Sequence, residues 1–387
     1  MTYTNIKQTL QTTAFGDLDV AQLSPKVQLQ FPYNINPIEV NTTATGSGTV
    51  SFLQPFAVCS TGSAASSSSA IFSKDNLHYA SGEGGLCLMT AVFSTGVSGS
   101  RQWVGLANTL DALWFGYNGS TFGINRRYNN SDNFVSQSSW NVDRMDGTGP
   151  SAITLVPTEG NVYKIQYQWL GFGCINFYIE NPATASFQLV HVIEYPNSAT
   201  TTSLLNPAMQ LNVVAQNTSN TSNIIVKSPS LSAFVQGAVA RTGNNFSIFR
   251  SKSIATTLTS VFVLRNNPTF NGITNYKSIF LTGMSFVNGG NSVARMDLIL
   301  NGTIGGSPSY TNINSQTSIA SYDVAGTSVT GGSTLITFFL AASSSMTFDI
   351  SNLYIHLEAN DVLAFAARRV SGGGATFYAS LNWIEQF

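Results

Sequence analysis

The chain has 387 residues, of which only 9% are charged, against about 25% in an average globular protein. Lys and Arg number 17 and Asp and Glu 18, for a formal net charge of -1. No basic run is longer than the pairs Arg126–Arg127 and Arg368–Arg369, which excludes a phosphate-neutralising footprint, so nucleic acid is not an expected partner.

No stretch approaches the run of apolar residues that a membrane-spanning helix needs, and the first residues lack the basic and apolar regions of a secretory leader. A surface so poor in charge cannot rely on repulsion to stay dispersed. It suits an assembly, or solvation through hydroxyl and amide side chains.

From the N-terminus, residues 1–35 read as an extended arm, polar at first, with one weak helical stretch (IKQTLQTTAF) and a close in SPKVQLQFPYNINP. TGSAASSSSA, residues 61–70, reads as a low-complexity loop. Strands follow in GGLCLMTAVFSTG and in QWVGLANTLDALWFGYNGSTFGINRRYNN, where Gly116, Gly119 and Gly123 punctuate short aromatic runs.

The clearest signal lies in residues 161–195, NVYKIQYQWLGFGCINFYIENPATASFQLVHVIEY. Tyr163, Ile165, Tyr167 and Trp169 alternate with Val162, Lys164, Gln166 and Gln168, a period of two that buries one face of a strand and wets the other. Leu170 to Gly173 supplies a turn, Ile175, Phe177 and Ile179 form the next inward row, and a third alternating run spans Phe187 to Tyr195. An antiparallel meander is predicted. NIIVKSPSLSAFVQG closes this first unit near Gly237.

A second unit is expected after the junction RTGNNFSIFRSK. Its strands are predicted in TTLTSVFVLR, YKSIFLTGMSFV, VARMDLILNGT, TLITFFLAA, MTFDISNLYIHLEANDVLAFAARR and TFYASLNWIEQF, with glycine-rich breakers between them. That density of strands and turns is the signature of a sandwich or jelly roll. The predicted fold class is all-β: two antiparallel β-sandwich or jelly-roll domains in tandem (36–237 and 238–387) behind the N-terminal arm (1–35).

Groups able to do chemistry are sparse. Cys59, Cys87 and Cys174 lack a C-x-x-C spacing and read as buried thiols. His78, His191 and His356 show no ligand spacing, so neither a metal nor a cofactor is expected. There is no G-x-S-x-G elbow. Asp111, Asp143, Asp146, Glu159 and Glu180 are the candidate acids of the first unit, Asp111 standing closest to the run Leu113-Trp114-Phe115, but none forms the closely spaced pair that glycoside hydrolysis uses.

DRMDGTGPS, residues 143–151, lacks the register of a calcium loop and reads as a turn with an Asp bonding its own backbone. Seven Asn-x-Ser/Thr sequons, at Asn41, Asn118, Asn129, Asn217, Asn220, Asn245 and Asn301, carry little weight in a chain this rich in Asn, Ser and Thr. Trp103, Trp114, Tyr117 and Trp140 fall near turns and are the candidate glycan contacts: an exposed ring stacks on a sugar face while neighbouring Asn and Asp bond its hydroxyls. Packing in the core is the competing reading.

The segments FGDLDVAQLSPKVQLQFPYNINP, WFGYNGSTFGINRR, SQSSWNVDRMDGTGPS, NVYKIQYQWLGFGCINFYIENP and NTSNTSNIIVKSPSLSAFVQG resemble a family of virion structural proteins of large double-stranded DNA viruses and tailed phages. The part from FSIFRSKS to SLNWIEQF resembles the sandwich that accompanies it, a jelly roll of TNF/C1q-like form, and the first unit is also similar in rhythm to a concanavalin-type lectin sandwich. The resemblance implies a non-enzymatic capsid-surface, spike or fibre protein, located in the virion and assembled in the host cytoplasm, and it brings no catalytic residues. The implied partners are copies of itself in a homotrimer, other capsid or tail proteins, and host-surface glycans. The alternative is a lectin-like carbohydrate-binding adhesion module.

Overall fold

The computed structural model describes residues 22–79, 81–237 and 243–385, and the chain divides into two compact units, Met1–Val239 and Ala240–Phe387. Both are built from antiparallel strands, and the helical content of the described residues is two short 3-10 turns, Gln137–Ser139 and Ser351–Leu353. The chain is all-β, as expected. The weak helical stretch IKQTLQTTAF lies outside the described residues.

The first unit is a sandwich of a nine-stranded and a seven-stranded sheet. The predicted meander forms as Asn161–Tyr167, Ile175–Asn181 and Ser186–Ile193 at one edge of the larger sheet, and Asn161–Tyr167 continues it onto Gly84–Phe93. Tyr163, Ile165, Tyr167, Ile175, Phe177 and Ile179 are all buried on its inner face, with Ile165 opposite both Phe177 and Cys87. A slip of one residue would turn this whole row to water, so the apolar alternation fixes the register.

The seven-stranded sheet runs Ser131–Ser136, Thr121–Tyr128, Ala112–Asn118, Ser100–Ala107, Gln210–Asn217, Ser68–Ser73 and Val40–Thr45. Val104, Leu106, Leu113, Phe115, Ile124 and Val213 complete the core from this side.

Two expectations change here. Part of the N-terminal arm, Leu23–Gln30, is a strand paired with Ser230–Gln236, and Val27, Leu29 and Phe31 enter the core. The run KVQLQF alternates with period two, and its short apolar row was masked by polar flanks; the arm before residue 22 lies outside the described residues. The low-complexity stretch 61–70 likewise gives its last three residues to Ser68–Ser73, where small side chains sit buried between two neighbours.

The second unit is a jelly roll. Of its eight long strands, Asn244–Ile254 pairs with Ala375–Glu385, Thr259–Asn266 with Val362–Arg369, Ile279–Asn288 with Ser345–Asp349, and Ala294–Leu300 with Ser333–Leu340. First meets eighth, second seventh, third sixth and fourth fifth, the wrapped order of that architecture. Its core includes Phe262, Phe286, Phe365, Phe377 and Trp383.

The segment RTGNNFSIFRSK, expected as a junction, is mostly the first of these strands. Arg250 and Lys252 interrupt its apolar row, which hid it. The Arg250 guanidinium rests 4.2 Å over the Tyr322 ring, and Lys252 donates to the carbonyls of Val324 and Gly326.

Candidate functional site

Successive side chains of a strand point to opposite faces. Along Ser100–Ala107 and Ala112–Asn118, Val104, Leu106, Leu113 and Phe115 face the core, so Trp103 and Trp114 face away from it. On that outer face Asn212, Gly105, Trp114, Asn125 and Phe134 follow one another across five strands, and Trp103 stands in the next row, opposite Gly116 and Val214.

The glycines shape this surface. A Cβ on Gly105 would stand 2.9 Å from Trp114 Cδ1 and 2.1 Å from the Leu113 carbonyl oxygen, and one on Gly116 would stand 3.0 Å from Trp103 Cε3. Without those carbons the indoles lie close against the backbone of the neighbouring strands. They stack on each other with ring centres 5.5 Å apart and planes 9° apart, and Phe134 closes on Trp103 at 6.1 Å.

Charge on this face is consumed locally. Arg127 lies 4.8 Å over the Trp114 ring and donates to both oxygens of Asp132, at 2.8 and 3.2 Å; Arg101 approaches the same carboxylate at 3.6 Å. Burial acts to raise the pKa of Asp132, but the hydrogen bonds from Arg127 and Asn125 and the charges of Arg127 and Arg101 outweigh it and hold the carboxyl below its usual range.

Two amides frame Trp114. Its Nε1 donates to Asn212 Oδ1 at 2.9 Å, and Asn125 Nδ2 donates to Asp132 Oδ1 at 2.9 Å. An indole N–H can only donate and a carboxylate can only accept, so neither amide is free to flip. Asn212 is thereby left with a buried NH2 and Asn125 with a buried carbonyl oxygen, and neither atom has a protein partner. A buried polar group left unpaired costs about 1–3 kcal/mol.

The four aromatic residues singled out from the sequence divide between the two faces. Tyr117 and Trp140 belong to the core, Tyr117 edge-on to Phe122 at 5.1 Å and Trp140 edge-on to Phe115 at 6.3 Å. As core side chains they offer no ring to a ligand, which corrects the expectation for these two. Trp103 and Trp114 do lie on an outer face, but at 3% and 4% exposure they spend their rings on each other and on Arg127. Packing explains the rings, and the polar atoms beside them carry the unspent capacity.

The candidate acids do other work. Asp111 is fully buried and accepts the backbone N–H groups of Asn129, Leu205 and Asn206, tying the loop before Gln210–Asn217 to the sheet. Asp143 accepts from the N–H of Met145 and Ser151, and Asp146 from that of Thr148, the self-bonding turn read from DRMDGTGPS. Glu159 is exposed and Glu180 half-buried on the other sheet.

His191 is buried, accepts the Asn141 N–H on Nδ1, and is pushed down to about 4 by desolvation. Burial raises the Cys59 and Cys87 thiols to about 12, which makes them inert packing groups. Among the described residues of the first unit no three His, Cys, Asp or Glu ligand atoms converge.

Asn125, Asn212, Arg127 and Asp132 were not singled out from the sequence. The available signal was polar residues at alternate positions of strands whose other positions are apolar, as in LNVVAQN and FGINRRY. That pattern is what any solvent-facing strand shows.

No protein-family model matches the chain, and no curated protein matches it. Among solved structures it is similar to the legume lectin-like domain from Entamoeba histolytica (13% identity, 53% of this chain and 95% of that one, TM-score 0.33). It is similar to a glycosyl hydrolase family protein from Mycobacterium fortuitum (9% identity, 56% and 100%, TM-score 0.36). A third is the CBM2 module of the evolved Dit of Lactobacillus casei BL23 phage J-1 (12% identity, 57% and 100%, TM-score 0.36).

Proposed function

We propose that the chain is a non-enzymatic adhesion protein whose first unit holds a neutral, hydroxyl-rich ligand, a glycan, on the outer face of the seven-stranded sheet. The observation that carries this reading is the pair of orientation-locked amides, the NH2 of Asn212 and the carbonyl of Asn125, buried without partners on either side of Trp114. Both atoms are buried in the free chain, so a ligand reaches them only when the side chains over them move aside; a sugar hydroxyl both donates and accepts, so one class of ligand then satisfies both. Arg127 and Arg101 share the single carboxylate of Asp132, which leaves one positive charge in excess, so the two amides and not an ion pair define the ligand chemistry.

Hydrolysis would need two carboxyl groups across the bound bond. Among the described residues of the four strands Ser100–Ala107 to Ser131–Ser136, Asp132 is the one acid, and it is held ionised by two arginines.

The test is a glycan array probed with the full chain, wild type and Asn125→Ala with Asn212→Ala. Binding that falls at least tenfold in the double variant supports the reading, with thermal unfolding followed alongside to confirm that the unit is still folded. An array without binders, or binding unchanged in the variant, removes it.

A narrower second reading is that this adhesion protein is a virion surface component, capsid, spike or fibre, with host-surface glycans as the ligand and other capsid or tail proteins as neighbours. It rests on the sequence resemblance and on the near-absence of charge. Locating the chain in purified particles by mass spectrometry and antibody labelling tests it; absence from particles counts against it.

A further inference from the structure

Four connections gather at one end of the second unit: 255–258, 289–293, 341–344 and 370–374. Backbone hydrogen bonds tie them together, from Arg369 N to the Ala255 carbonyl, Val370 N to Val293 and Ser343 N to Gly290. Their sequences, ATTL, GGNSV, AASS and VSGGG, hold no acidic residue.

Arg369, the second member of the pair Arg368–Arg369, ends the strand Val362–Arg369 beneath these loops. Phe365 and Ala367 of that strand belong to the core, so the alternation turns Arg369 inward too, and it is 2% exposed. Its Nε donates to Ser292 Oγ at 2.8 Å; its Nη2 donates to the same hydroxyl and, at 3.2 Å, to Asn291 Oδ1. Among the described residues Nη1 has no acceptor.

Glycines bring the backbone up to the guanidinium. A Cβ on Gly372 would stand 2.8 Å from Nη2, one on Gly290 3.8 Å from Cζ and one on Gly373 3.9 Å from Nη1. The N–H groups of Gly372 and Gly373 have no acceptor among the described residues. Residues 371–374 are exposed, so the guanidinium lies one loop below the surface.

A guanidinium stays protonated in proteins, and burying a charge is costly unless an opposite charge meets it. Arg127 and Arg295 each hold an aspartate. Arg369 is the one buried arginine among the described residues, and none of their carboxylates pairs with it. Tethering the loops through a serine hydroxyl and an asparagine oxygen would not require a charge.

We infer that this end of the second unit binds a tetrahedral oxyanion, a sulfate or phosphate group, on Nη1 of Arg369 and the adjoining glycine amides. The Nε–Nη2 edge, on which a planar carboxylate would seat both oxygens, is occupied by Ser292 Oγ. Nη1 keeps two N–H groups, and the glycine N–H groups beside it add donors, which suits an anion with oxygens on several sides. The inference is independent of the glycan reading, since it concerns another unit and other residues.

The experiment is isothermal titration calorimetry of the full chain with sodium sulfate and with sodium phosphate at constant ionic strength, and with sodium acetate as the planar control. Saturable one-to-one binding in the millimolar range or tighter is expected for sulfate or phosphate, weakened at least tenfold in Arg369→Gln. Tighter binding of sulfate points to a sulfated ligand, and tighter binding of phosphate to a phosphate ester; either order supports the site. Should Arg369→Gln lose its native circular dichroism, Gly373→Ala serves. Its methyl group crowds Nη1 without touching the bonds to Ser292 and Asn291, and at least a threefold loss is expected. No saturable binding of either salt, binding unchanged in the variants, or acetate bound as tightly as sulfate and phosphate would each overturn the inference.

Discussion

Two aromatic pairs in this molecule share a geometry and differ in environment. Trp103 and Trp114 in the first unit, and Phe249 and Tyr378 in the second, each stack with planes 9° apart on the outward face of a sheet. The tryptophans are 3% and 4% exposed and the second pair 58% and 38%. The first pair is completed within the chain by glycines beneath it, an arginine above it and an amide at its edge. The second has hydroxyls beside it and, among the described residues, nothing over it. A stacked pair alone therefore says little about function; what is left unspent around it decides, polar atoms in one case and ring surface in the other.

The largest effect that separates the two pairs is on stability. Trp114→Ala should destabilise the first unit by about 3–5 kcal/mol, the range for a large buried aromatic, whereas Phe249→Ala should change stability by no more than about 0.5 kcal/mol. Chemical denaturation of both variants checks this. Comparable losses would mean that the two environments do not differ as described.

Gly105→Ala comes next, because its Cβ would stand 2.1 Å from the Leu113 oxygen; overpacking of this kind costs about 1–3 kcal/mol. A neutral outcome would mean that the two strands can part without loss. Asn212→Ala unpairs the indole N–H of Trp114 but also removes the unpaired NH2 of Asn212, so two terms of about 1–3 kcal/mol offset and the net change should be no more than about 1 kcal/mol. A loss well above that in chemical denaturation would contradict the unpaired NH2.

The smallest effect is the pH dependence of Asp132. Its folded pKa is lowered, so its ion pairs contribute at and above the ordinary carboxylate range, and the contribution is lost as pH falls below that range through the folded value. The wild type should therefore lose more stability than Asp132→Asn between pH 6 and pH 3. Equal losses would show that the carboxylate is not held by Arg127 and Arg101. The effect is modest because the pair is partly solvated.

Much of the fold was legible because its signal is local. The meander at 161–195 obeys period two without interruption, and its three strands lie where the alternation put them. The strand at Asn244–Ile254 was not legible, because Arg250 and Lys252 occupy apolar slots whose justification, Tyr322 and the carbonyls of Val324 and Gly326, lies about 70 residues away along the chain. Pairings of that range leave no periodic mark.

The candidate site shows the same limit. Trp103 and Trp114 could be singled out by residue type, but core-facing Tyr117 and Trp140 look no different in sequence. Which face each occupies depends on register with neighbouring strands. Asn212 and Asn125 matter through the donor and acceptor that lock them, and those contacts span 98 and 7 residues.

The most direct test of the central claim is a high-resolution crystal structure of the full chain soaked with an oligosaccharide selected on the array. The expected result is sugar density on the outer face of the seven-stranded sheet, with hydroxyls within hydrogen-bond distance of Asn212 Nδ2 and Asn125 Oδ1. Sugar bound elsewhere, with ordered water alone satisfying both amides, would contradict it.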